Sequence, residues 1–208
     1  MSSVQQRFSA EDRRSQILDV AKNLFSKKGY EGTTTREIAL AAKVNEAIIF
    51  RHFPTKEELY WAVIDSYCKN SDARGQMVER LRRGGRLEDV FRELAVEILN
   101  RRSRDQALTR LLFFSALENH ALSHRFFDTY VAQFYETLTD FVREQIAAGK
   151  FRDVDPMLAA RGFLGMVVYH SLVDTLFGST RLKKYDHQEI ATELSSIWLN
   201  GMLKERAQ

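Results

Sequence analysis

The side chains best suited to chemistry lie between Thr34 and Lys56, and the chemistry they suit is recognition rather than bond making. Arg36, Arg51 and Lys56 supply cations. Thr34, Thr35, Asn45 and His52 supply hydroxyl, amide and ring donors, and Glu46 an acceptor. Ala47, Ile48 and Phe50 set an apolar surface among them. Catalytic patterns do not compete: the sequence holds no H-E-x-x-H, G-x-S-x-G, G-x-G-x-x-G or P-loop string, and no Glu-x-x-His pair for a di-iron bundle. An enzyme would have to be a helical bundle with an unannounced active site, so no catalytic residue and no cofactor is expected. His120 and His124, with Glu118, raise a metal site, but helix punctuation between Asn119 and Ser123 breaks the shared face that i,i+4 ligation requires, and none is expected. The single cysteine, Cys68, flanked by Ile64 and Tyr67, reads as packing rather than as a redox switch, and excludes an internal disulfide.

The elements that position these residues are helical. The chain of 208 residues is 44% hydrophobic and 28% charged, with Pro54 and Pro156 its only prolines, which excludes disorder and turn-dense all-β architecture. Apolar residues recur at helical spacing nearly throughout. Ser9 and Asp12 cap a first helix over 10–28, with Ile17, Ala21, Leu24 and Phe25 as its stripe and Gly29 as its end. Thr34-x-x-Glu37 opens a helix over 35–42, Asn45 caps one that must stop before Pro54, and Thr55-x-x-Glu58 opens a long helix to about Arg80. After the loop Arg82–Arg86, helices are expected at 87–102, 104–119, 123–148, 155–177 and 187–205. The fold class is all-α, about nine helices: a small N-terminal unit and a larger helical body.

Only Lys43-Val44-Asn45 separates the helices over 35–42 and 46–53, which is helix-turn-helix spacing, with the second helix fit for a DNA major groove. Two small core helices would show the same spacing. With Ile49 inward, about 100° per residue turns Ala47 and Arg51 outward, with Ile48 and Phe50 flanking. Arg51 suits guanine or a phosphate, Ala47 and Ile48 suit thymine methyls, and Glu46 suits cytosine N4 or a first-turn dipole role. Lys56, in the first turn of the next helix, suits a phosphate, as do Thr34 and Thr35. His52 reads as a phosphate contact or an edge packer.

The string TTTREIALAAKVNEAIIFRHFPTKEELYWAVI resembles the N-terminal domain of the TetR/AcrR family of bacterial transcriptional regulators, through Thr33-Thr34, Arg36–Ala39, Ala42, Val44, Ile49, Phe53 and Lys56–Leu59. The resemblance covers about residues 10–64. It implies a homodimer whose N-terminal domains bind an operator and whose bodies pair and hold a small effector. On that basis residues 1–54 form the DNA-binding domain with a tail at 1–9, 55–80 the connecting helix, and 81–208 the effector and dimerisation domain. Three departures stand out. Lys43 replaces the family's common turn glycine, Asn45 its serine cap, and Phe50 its frequent tyrosine, which removes one hydroxyl that could reach phosphate.

In the body, aromatic residues crowd the middle and later helices, and core packing explains most of them. The resemblance implies that some line an effector pocket: Phe113, Phe114, Phe127, Tyr130 and Phe134, with Asn119, His120, His170 and Asp174 as polar members. Such a cavity suits a hydrophobic ligand. Gly162, Gly165, Val168, Leu172 and Leu176, with Leu194, Ile197, Trp198 and Gly201, match the family's dimer seam, while an intrachain helix pair is the alternative. The apolar run Phe163–Val173 is too short to span a bilayer and no signal peptide is visible, so no membrane partner and a cytoplasmic location are expected. The net charge of +3 is too small to argue for DNA, but it is unevenly placed. Residues 1–60 hold 10 basic and 8 acidic side chains, 61–110 hold 11 and 8, and 111–208 hold 10 and 12.

Overall fold

The computed structural model describes residues 9–104, 106–117, 121–178 and 183–204, apart from the side chains at 70, 71, 104, 108, 115, 174 and 175. The helices are α1 (Ala10–Lys28), α2 (Thr35–Ala41), α3 (Glu46–His52), α4 (Lys56–Ser71), α5 (Ala73–Arg83), α6 (Leu87–Arg104), α7 (Gln106–Leu117), α8 (Ala121–Phe126), α9 (Ala132–Ala147), α10 (Pro156–Phe177) and α11 (His187–Met202). Extended pairing among the described residues is a single bridge, Phe151 with Leu203, closed by the Arg152 N–H on the Met202 carbonyl at 2.9 Å. The all-α expectation holds.

Starts and stops follow capping chemistry. Ser9 Oγ accepts the Asp12 N–H at 3.0 Å and Asp12 returns the bond to the Ser9 N–H at 3.1 Å. Gly29, at φ 74°, ends α1 by donating to the Phe25 carbonyl at 2.9 Å. Thr34 and Glu37 cap α2 in the same reciprocal way, and Thr55 accepts the Glu58 N–H at 3.0 Å before α4.

Two helices expected to run unbroken are divided. The one expected to reach Arg80 breaks at Asp72, whose φ of 39° and ψ of 36° are left-handed. Aspartate tolerates that region better than most residues. Gly75 makes room, because a Cβ there would sit 2.5 Å from Asp72 Oδ1. The helix expected over 123–148 appears as α8 and α9, joined by a π-helical turn at Phe127–Val131. One extra residue per turn shifts the face downstream.

The chain forms two compact units, Met1–Ser71 with Ala107–His124, and Asp72–Gln106 with Arg125–Gln208. In the first, Phe25 meets Tyr60 edge-on at 4.8 Å and Tyr30 meets Tyr60 at 5.2 Å. The buried Tyr60 hydroxyl donates to the Leu111 carbonyl at 2.9 Å, fastening α7 to α4. In the second, Phe91 lies at the centre of the core, 4.9 Å from Phe163 and 4.5 Å from Trp198. The Trp198 indole donates to the Ala159 carbonyl at 3.0 Å, so this ring is a core residue, which corrects its expected place in the dimer seam. A second correction concerns α10. Its window Pro156–Val173 has a mean hydropathy of 1.2 over 18 residues, long and apolar enough by length and composition to cross a bilayer. The apolar run set at Phe163–Val173 was drawn too short because Arg161 interrupts it without ending it.

Candidate functional site

Between α2 and α3 the backbone turns at Lys43, whose φ of 53° is the conformation for which its relatives' glycine is suited. The Val44 N–H reaches the Ala39 carbonyl at 3.0 Å, and Gln16 Nε2 donates to the Ala42 carbonyl at 3.0 Å, bracing the turn from α1. Asn45 Oδ1 accepts the Ile48 N–H at 2.9 Å, which caps α3 and leaves the amide N–H groups to donate outward. Ile38, Ala39, Ile49 and Phe53 are buried under the pair. Arg14 lies over the Phe53 ring at 4.9 Å.

Outward of this scaffold, Arg36, Ala47 and Arg51 are exposed, Ile48 is half-buried, and Phe50 is 42% exposed. Leu40, on α2, is 80% exposed and was not singled out from the sequence; only its place outside the buried Ile38–Ala39 face could have marked it. Several expected contacts are engaged inside the chain. The Thr35 hydroxyl donates to the Glu46 carboxylate, tying α2 to α3, so neither the hydroxyl proton nor that carboxylate oxygen is free for DNA. The Thr34 hydroxyl donates to Glu37 Oε2 at 3.1 Å and accepts the Glu37 N–H at 3.2 Å. Lys28 meets Glu37 at 2.8 Å, and with the Thr34 N–H it holds that carboxyl down to about 2. Lys56 stands 4.1 Å over the Tyr30 ring, a contact that orients its ammonium. His52 packs its ring near Phe53 at 6.3 Å, with Nε2 buried and unpartnered, the edge-packing alternative rather than a phosphate contact.

The second unit contains a cavity of about 80 Å³ between α6, α10 and the start of α11. Leu99 and Ile190 form its apolar floor. Its polar lining comes from Ser103, Gln106, His170, Ser171, Tyr185 and His187. The His187 ring is held at both nitrogens, 2.6 Å from Asn100 Oδ1 and 3.0 Å from Ser103 Oγ. Of the residues expected to line a pocket, His170 is the one found here. Phe127 is 48% exposed, and Phe113, Phe114, Tyr130 and Phe134 are half-buried away from this cavity. Asn119, His120, Glu118 and the side chain of Asp174 lie outside the described residues. Asn100 and His187 are 87 positions apart, so no local pattern could have paired them. Burial, with Asp65 nearby, pushes the Cys68 thiol up to about 12, far from reactive thiolate chemistry at neutral pH.

A braced helix-turn-helix with an exposed arginine on its second helix, followed by a helical body, defines a DNA-binding regulator. Residues 17–63 match the family described as bacterial regulatory proteins, tetR family. Residues 86–197 match the AefR-like transcriptional repressor, C-terminal domain. The chain belongs to the TetR family and is a transcriptional regulator. Over 64 residues it is 47% identical to the uncharacterized HTH-type transcriptional regulator YvkB of Bacillus subtilis (strain 168), a match covering 31% of this chain and 32% of that protein. The chain thus spans about a third of that relative's length. It is 29% identical over 156 residues to the HTH-type transcriptional repressor Rv1474c of Mycobacterium tuberculosis (strain ATCC 25618 / H37Rv), covering 75% of this chain and 78% of that one. Its fold matches that of AibR, solved in complex with isovaleryl coenzyme A and operator DNA, with a TM-score of 0.68 at 23% identity over 89% of this chain and 97% of that one. These are names of regulators rather than of enzymes.

Proposed function

We propose that this regulator is a homodimeric repressor that acts in the cytoplasm, binds operator DNA through residues 1–54, and is released by a small, largely hydrophobic effector held in the body at 81–208. The observation that carries the reading is the outer face of α3, where Arg51, Ala47 and Phe50 are exposed on a helix whose inner face, Ile49, is fully buried. Arg51 reads a base edge or a phosphate, Ala47 and Ile48 meet thymine methyls, and Arg36, Asn45 and Lys56 position the backbone. Residues 55–80 connect the reading domain to the body. The Asp72 break makes that connection two helices rather than one rod.

Dimerisation is supported by α10. Only 22% of its apolar window is buried. Leu158, Tyr169 and Leu176, exposed by 66%, 69% and 37%, follow Gly162 and Gly165 along one stripe, with Val168 and Leu172 half-buried beside it. Ile197 on α11 is 59% exposed, near Leu194 and Gly201. A Cβ at Gly165 or Gly201 would meet nothing within 4 Å, so packing within the protomer does not require glycine there, whereas close approach of a second copy would. Two recognition helices then sit one turn of DNA apart, about 34–36 Å, and an effector favours a dimer in which they do not. Phe113, Phe114, Phe127, Tyr130, Phe134 and His170 are the side chains proposed to meet its apolar part.

Gel shift against genomic fragments, followed by sequencing of the bound DNA, tests the first half. Arg51→Ala is expected to relax base preference, and Lys56→Ala to weaken all sequences alike. Unchanged operator binding by both variants would overturn the docking. Ile197→Glu is expected to yield a folded monomer by light scattering and to abolish operator binding at nanomolar protein.

A further inference from the structure

The cavity of the second unit has no carboxylate in its lining, and positive charge adjoins it on two sides. At the rim, Lys183 Nζ lies 4.5 Å from the Tyr185 ring. Behind the Ser171 wall stands Arg102, half-buried, whose Nε–H donates to Ser171 Oγ at 2.7 Å. Its neighbours on α6 are paired conventionally: Arg92 with Asp89 at 2.7 Å and Arg101 with Glu97 at 2.7 Å. Arg102 has no such partner among the described residues, and burial lowers its pKa with no neighbouring charge contributing. A guanidinium cannot escape burial by losing its proton. A buried cation without a counter-charge is costly, and an arriving anion relieves that cost.

The nearest acidic groups do not fill the role. Asp186 and Glu189 are engaged with each other's backbone at the start of α11, the Glu189 N–H on Asp186 Oδ1 at 2.8 Å and the Asp186 N–H on Glu189 Oε2 at 3.0 Å. The lining offers the cavity hydroxyl, amide and ring groups, and Leu99 with Ile190 offers a short apolar floor. We propose that this cavity binds a short-chain carboxylic acid, its carboxylate toward the Ser171–Arg102 wall and its alkyl end on Leu99 and Ile190. One guanidinium and a cavity of about 80 Å³ suit a single planar carboxylate, whereas a phosphate group calls for more cations and more donors. Its regulatory consequence rests on the effector-release reading above; the binding site itself does not.

Arg102 lies in the last turn of α6, so the helix dipole offers a purely structural reason for its charge. Titration calorimetry on the full chain separates the two. Butanoate is expected to bind the unaltered protein, with butanamide and inorganic phosphate at least tenfold weaker. Arg102→Met is expected to lower butanoate affinity at least tenfold while melting no earlier than the unaltered protein, because it removes an uncompensated buried charge. Equal binding of butanoate and butanamide, phosphate binding as tight as butanoate, or undiminished butanoate binding by Arg102→Met would overturn the proposal. Should Arg102→Met not fold, Ser171→Ala serves instead, with a several-fold loss of butanoate affinity expected and an unchanged affinity counting against the site. Gel shifts in parallel keep the two readings apart. Butanoate binding without operator release leaves the site standing and removes its regulatory role. Operator release by another compound, with no butanoate binding, does the reverse.

Discussion

The two compact units use their polar side chains in opposite ways. In the N-terminal unit, Ser9, Thr34, Asn45 and Thr55 turn an oxygen back onto a helix start, and Thr35 and Glu46 join two helices. The groups left over, Arg36 and Arg51 above all, face outward from a braced scaffold. In the second unit, Asn100, Ser103, His187 and Ser171 turn toward one another and toward a cavity. A reading surface is thus built by removing internal freedom, and a ligand site by leaving polar groups and a buried cation incompletely answered. The first arrangement suits a rigid partner such as duplex DNA, the second a small molecule that completes the network.

The comparison breaks most visibly if the units do not unfold separately. The chain has two tryptophans, Trp61 in the first unit and Trp198 in the second. Each reports its own unit once the other is replaced by phenylalanine. Phe91→Ala removes the ring around which Phe163 and Trp198 pack and is expected to cost the second unit about 3–5 kcal/mol in denaturant titration, read by Trp198. Ile49→Ala, at a fully buried position under α3, is expected to cost the first unit about 2–5 kcal/mol, read by Trp61. If both probes shift together in both variants, the units are one cooperative body and the contrast above is geometric only.

That contrast also explains what the sequence disclosed. Caps are local, acting over three residues, so Ser9–Asp12, Thr34–Glu37 and Thr55–Glu58 announce α1, α2 and α4 without any tertiary knowledge. The buried stripe of α3 follows from helical period alone, and with it the outward turn of Arg51. Lys56 over Tyr30, Asn100 against His187 and Arg102 against Ser171 pair residues far apart in the chain, and composition holds no trace of them. Trp198 was misassigned for a related reason. Its spacing on α11 fits either face of the helix, and only the pocket formed by Phe91, Phe151 and Phe163 decides between them. The Asp72 break depends on a carboxylate finding room beside Gly75, which no propensity scale encodes.

A smaller effect sharpens the account of the first unit. Thr34→Ala removes the cap of α2 and is expected to cost about 1 kcal/mol, seen by Trp61 and not by Trp198. Its partner gives the effect a pH signature. Glu37 lies at about 2 against an ordinary 4.5, so it is stabilising above 4.5 and that stabilisation is lost as pH falls from 4.5 through 2. Glu37→Gln is expected to flatten the acid limb of the Trp61 transition in that window; an unchanged limb would mean that Lys28 and Thr34 do not hold the carboxylate in solution.

The smallest predicted change concerns the two non-glycine residues with left-handed backbone, Lys43 at φ 53° and Asp72 at φ 39°. A long side chain gains nothing locally from that conformation, whereas aspartate's short polar one suffers less there. Lys43→Gly is therefore expected to stabilise the first unit by about 0.5–1 kcal/mol, the steric relief exceeding the entropy that glycine adds to the unfolded chain. Asp72→Gly is expected to be near neutral, since relief and added entropy offset each other. Equal gains at both sites would mean that residue type does not set the strain and that α4 and α5 are held apart by something other than aspartate's tolerance. A loss at Lys43 would show instead that its ammonium contributes to the fold of the turn, and operator titration of the same variant would then measure whether it also meets the DNA backbone.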